Sequence, residues 1–152
     1  MKHLLFSFLI VLLLCSSAFA VGTVTISSNT YRPGGSGDLE KILISWVGDA
    51  ADGTVPSTDF SFCGTLQRVA INPGATAPTN LYDVVLTDED SFDLLLGVGT
   101  DLLTATSESK IPTKAGSVAN TWELMTYCGL ATFTLTGNSV HSATGTMTLF
   151  LR

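Results

Sequence analysis

The chain has 152 residues and a formal charge of −6, with seven basic residues against thirteen acidic ones. Cations this few and this scattered give no basic cluster of the kind a phosphate backbone requires, so nucleic acid is not an expected partner. The three cysteines lack paired C-x-x-C spacing, which argues against a zinc centre.

The opening segment reads as an export signal. Lys2 and His3 precede a nearly continuous apolar run from Leu4 to Leu14, and Ala18-Phe19-Ala20 supplies small residues for cleavage after Ala20. The run is shorter than the ~20 residues needed to cross a bilayer core, so no membrane anchor is expected once the signal is removed. Cys15 raises a lipoprotein alternative, which the bulky Leu14 before it disfavours. Residues 21–152 then form a single domain, secreted or periplasmic, with six basic residues against thirteen acidic ones. Within it Cys63 and Cys128 read as one disulfide, as befits an even pair in an exported chain. Two buried free thiols are the alternative.

In chain order, Val21 to Ser28 alternates with Val24 and Ile26 on one face, the period of a half-buried strand, and is expected at a sheet edge. Arg32 to Asp38 combines one proline with three glycines and reads as a mobile loop. Leu39 to Val47 places Ile42, Ile44 and Trp46 on one side. Phe60 to Phe62 and Gly64 to Ile71 are strand-like on either side of a residue suited to a bulge or sharp bend. Leu81 to Thr87 alternates clearly. Asp88 to Ser91 followed by Phe92 to Leu96 and Gly97 matches start and stop signals of a one- or two-turn helix. From Gly99 to Ala119 the pattern is weak. Trp122 to Thr136 alternates around Cys128, and in Gly145 to Arg152 the side chains of Met147, Leu149 and Leu151 share a face opposite Phe150.

Six to seven short strands with turn signals between them predict an all-β fold, a single antiparallel β-sandwich or small barrel with at most one short helix. The final strand runs to the last residue and needs a pairing partner, within the domain or in a neighbour.

Little catalytic chemistry is visible. His141 is the one histidine of residues 21–152, it sits in an expected turn, and no G-x-S-x-G elbow accompanies it. The glycine clusters at 34–37 and 97–99 complete neither a dinucleotide fingerprint nor a P-loop. No catalytic residue and no organic cofactor are predicted. The acidic group at Asp88, Asp90 and Asp93, with Glu89, is the one constellation with ligand chemistry, because calcium takes hard oxygen donors. Phe92 occupies a place where a calcium loop would carry Asp or Asn, and a solvated acidic turn is the competing reading. The aromatic residues Trp46, Trp122, Tyr31, Tyr82 and Tyr127 are scattered, which fits core packing better than a sugar platform.

The stretch from Asn72 to Leu103, with P-T-x-x-Y-D-V-x-L-T-D-E-D from Pro78 to Asp90 and the following apolar turn at its core, together with the ending GNSVHSATGTMTLFLR, resembles small proteins encoded among bacteriophage and prophage structural genes. The likeness spans about half of residues 21–152. It implies a compact β domain of a virion or its decoration, with no functional residue carried across. The export signal, Phe92 in place of a common glycine, and the two cysteines depart from that pattern. The expected function is therefore a non-enzymatic structural or interaction module, exported or particle-associated, with a protein partner or self-association. A calcium-dependent adhesion or ligand-binding module using residues 88–93 is the alternative.

Overall fold

The computed structural model describes residues 20–31, 38–116, 118–119 and 121–152. The expected export signal up to residue 19 and the Pro/Gly loop at 32–37 lie outside these residues. The described chain is all-β and forms nine strands. They are β1 (Thr23–Tyr31), β2 (Leu39–Val47), β3 (Thr58–Pro73), β4 (Asp83–Thr87), β5 (Glu108–Lys110), β6 (Thr113–Ala115), β7 (Trp122–Leu124), β8 (Thr126–Thr136) and β9 (Thr144–Leu151). The main sheet is antiparallel in the order β1-β2-β9-β3-β8-β4, with β5 also on β3, while β6 and β7 pair as a separate hairpin. β1 and β4 stand at the two ends of the order and do not meet, so the sheet is open rather than a closed barrel.

β3 makes one sheet into two layers. Its first half, Thr58 to Thr65, pairs with β8, and its second half, from Leu66 to Pro73, pairs with β9. The predicted break at Gly64 is thus a crossing point inside one sixteen-residue strand. A Cβ at Gly64 would stand 3.3 Å from the Cβ of Leu151 and from the carbonyl oxygen of Arg152, so the close approach of β9 favours glycine there.

Alternation determines what faces inward. Ile42, Ile44 and Trp46 of β2, Val69 and Ile71 of β3, and Met147, Leu149 and Leu151 of β9 are buried from one layer. Phe62, Val84, Leu86, Ala131, Phe133 and Leu135 are buried from the other. All join one apolar cluster, against which Val24 and Ile26 of β1 pack half-buried. Each large side chain removed from water contributes roughly 1.5–3 kcal/mol.

The helix expected after Ser91 does not form. Residues 94–99 make successive turns instead, with Leu96 N–H to Asp93 O at 3.2 Å and Val98 N–H to Leu95 O at 3.1 Å. The reason is tertiary, because this segment covers the outer edge of β4. Leu94 N–H donates to Leu86 O and Val84 N–H to Gly99 O, while Leu94 and Leu95 are both buried. Pairing with β4 and burying two adjacent leucines outweigh a marginal helix. The expected strand from Trp122 to Thr136 is also interrupted, since Met125 turns inward and its carbonyl accepts from Leu66 N–H at 2.7 Å.

Candidate functional site

Strand register builds one surface site from residues remote in sequence. Asn29 faces Lys41 across β1 and β2, Lys41 faces Phe150 across β2 and β9, and Phe150 faces Arg68 across β9 and β3. Their neighbours Ile42, Leu149 and Val69 are buried, so the four side chains lie in a row on the outside of the layer. Simple alternation would not put Arg68 there. Leu66 and Val69 both face the core although they are three residues apart, and a register shift between Leu66 and Arg68 absorbs Gln67 as an extra residue. This bulge turns Arg68 from the core to the outer face. Its guanidinium stacks 4.0 Å from the centroid of the Phe150 ring, a favourable cation–π geometry.

A groove of about 280 Å³ opens beside this row, with Leu39, Phe150 and Leu151 as apolar lining and Asn29, Glu40, Lys41 and Gln67 as polar lining. An apolar floor bordered by the Lys41 ammonium and the Glu40 carboxylate, with the Arg68 guanidinium over the Phe150 ring, suits a ligand that combines an aromatic or aliphatic surface with charged groups.

The acidic constellation at 88–93 lies elsewhere, following β4. Asp88 Oδ1 accepts from the backbone N–H of Asp90 at 3.0 Å and of Phe92 at 2.8 Å. Asp93 Oδ1 accepts from Leu95 N–H at 2.9 Å, and its Oδ2 from Gly97 N–H at 2.7 Å. These two carboxylates hold the turn in shape. Among the described residues no three His, Cys, Asp or Glu side chains are grouped so as to hold a metal ion. Phe92 is locked at its backbone, with its carbonyl accepting from Asp88 N–H at 3.0 Å, while its side chain remains 51% exposed. The nearby Tyr127 hydroxyl donates to Leu130 O. Desolvation, followed by the charges of Asp88, Glu89 and Asp90, raises its pKa above the ordinary tyrosine value.

Cys63 and Cys128 sit directly opposite each other on β3 and β8 and are joined as a disulfide on the exposed face. His141 is exposed before β9. Asp52 is held below the usual carboxylate range, first by the backbone N–H of Thr54, next by the Thr54 hydroxyl and more weakly by His141. Of the aromatic residues, Trp46 and Tyr82 belong to the core, whereas Trp122 is 72% exposed on the β6–β7 hairpin. Tyr82 is buried with its hydroxyl unpartnered, and burial, aided by the charge of Glu108, pushes its pKa up to about 12.

The Lys41–Phe150–Arg68 row was not legible in the sequence, because nothing local reveals a register between β2, β9 and a bulged β3. Alternation disclosed the outward direction of Phe150 and, opposite Ile42, that of Lys41, but not that of Arg68. No match was found among protein-family models, curated proteins or solved structures. The fold and its surface define the class: an all-β, disulfide-bonded domain with an open sheet edge. No helix among the described residues is long and apolar enough to cross a membrane.

Proposed function

We propose that this chain is a non-enzymatic structural module, exported from the cytoplasm, that assembles with further copies of itself through the edge of β1. The observation that carries this reading is the edge itself. β1 has nine residues, contains neither charge nor proline, and pairs only with β2 among the described residues. The far end of the sheet is treated differently, since residues 93–102 cover β4. The first half of β3 also has a strand on one side only, but it carries Asp59. A long uncharged edge is a template for strand addition, and two β1 strands meeting antiparallel about a two-fold axis would satisfy both rows of backbone groups. The exposed disulfide supports an oxidising location. A role in a particle or surface coat accords with the resemblance to phage structural proteins and with self-assembly.

Light scattering after size exclusion tests this. The protein is expected to associate with rising concentration, and Thr25→Lys with Ser27→Lys, which charges the exposed face of β1, is expected to weaken that association. Association unchanged by the two lysines would remove the β1 contact.

A further inference from the structure

A second contact surface is built into the chain beside β1, whose Asn29 borders it. The groove beside Phe150 is lined by Lys41, and Arg68 lies over the Phe150 ring at its border; they are two of the seven basic residues of an acidic chain. Among the described residues neither cation has a carboxylate within ion-pair distance, and Arg68 is instead laid on the Phe150 ring. Glu40 also borders the groove, but it pairs with Leu151 and sits on the opposite face of β2 from Lys41. Around the aromatic floor the two cations, Lys41 in the lining and Arg68 over the ring, thus outnumber the single carboxylate of Glu40.

The chain also carries the complementary shape. The turn Asp88-Glu89-Asp90-Ser91-Phe92-Asp93 contains four carboxylates around a single exposed phenyl ring. The backbone of Phe92 is clamped at both its N–H and its carbonyl by Asp88, at 2.8 and 3.0 Å. An exposed aromatic side chain on a rigid platform loses little conformational freedom when bound, the usual property of an interface anchor. Both features lie toward the end of the layers where β3 crosses. Leu151 pairs with Leu66 there, and the acidic turn continues β4 beyond Thr87, which pairs with Thr132, toward the start of β8.

We infer that the groove between β2, β9 and β3 receives the acidic turn of a second copy of this chain, with Phe92 against Phe150 and the turn's carboxylates facing Lys41 and Arg68. The inference deepens the self-assembly reading but does not depend on the β1 edge. Two different contacts on one chain would let copies continue into a larger assembly instead of stopping at a dimer.

The test is a charge swap, carried out in a Thr23→Lys/Thr25→Lys background, which charges the β1 edge away from Asn29 and Lys41 so that the β1 contact is silent. In that background the protein is expected to self-associate more weakly as salt rises. Phe92→Ala, at an exposed position, is expected to weaken this residual association by about tenfold. Lys41→Glu/Arg68→Glu and Glu89→Lys/Asp90→Lys are each expected to be monomeric, because each sets like charges together. Mixed one to one, they are expected to associate again, since the acidified groove then faces the basic turn and the two unaltered surfaces also match. An unchanged melting temperature for each variant shows that the fold is intact. A mixture that stays monomeric, or Phe92→Ala associating as strongly as its parent, would overturn the inference while leaving the β1 contact untouched.

Discussion

Trp46 of β2 stacks on Phe133 of β8 across the two layers, with ring centroids 5.7 Å apart and planes inclined by 28°. The indole also lies over Gly145, its partner across β2 and β9, where an added Cβ would come within 2.2 Å of Cζ2. The two layers are thus packed through one aromatic pair whose seat requires a residue with no side chain. Gly145→Ala is expected to destabilise the domain by about 1–3 kcal/mol through overpacking, and Phe133→Ala by about 3–5 kcal/mol through the cavity it leaves. Urea unfolding followed by tryptophan fluorescence measures both, and a neutral Gly145→Ala would show that Trp46 has another place to go.

The Cys63–Cys128 bond joins residues 65 apart in the chain. On the chain-entropy model, Cys63→Ser/Cys128→Ser should lower stability by about 4 kcal/mol, with the strands expected to stay paired because the backbone pairing of β3 with β8 runs from Thr58 to Thr65 on both sides of the bond. The midpoint of denaturation with and without reductant gives the value. Equal midpoints would mean that the bond adds nothing to a sheet already paired.

Tyr82 carries a hydroxyl with no partner in a fully buried place. Tyr82→Phe keeps the ring and removes the unpaired group, so it is expected to raise stability by about 1 kcal/mol. A loss of similar size would reveal a bound water on that hydroxyl, detectable as a new void when the variant is crystallised.

The Glu108 carboxyl is held below its ordinary value, first by the Lys110 ammonium at 2.7 Å and also by the Leu103 N–H at 3.1 Å. Its folded-state pKa lies below its unfolded value, so the associated stability is present above the unfolded pKa and is lost as pH falls through the folded one. Unfolding midpoints measured from about pH 6 down to about pH 2 should therefore fall less steeply in Glu108→Gln than in the parent. Parallel curves would show that this carboxylate is not linked to folding.

Fold class was legible in the sequence because strands such as β4 and β9 bury alternate residues, a two-residue period that the order of the residues alone displays. Val84 and Leu86, or Met147, Leu149 and Leu151, announce their inward face without reference to any partner strand. The pairing of Cys63 with Cys128 was legible for a different reason: the reading of residues 1–20 as an export signal leaves these two of the three cysteines, and two have one simple way to pair. Tertiary structure decided the rest. Whether Leu94 and Leu95 wind into a helix or cover β4 depends on an edge contributed by a different segment. Whether Arg68 faces the core or the solvent depends on one extra residue in β3, measured against β9. Local sequence fixes the direction of a side chain relative to its own strand, whereas a site assembled across strands exists only once the register between them has been set by the packing of the whole core.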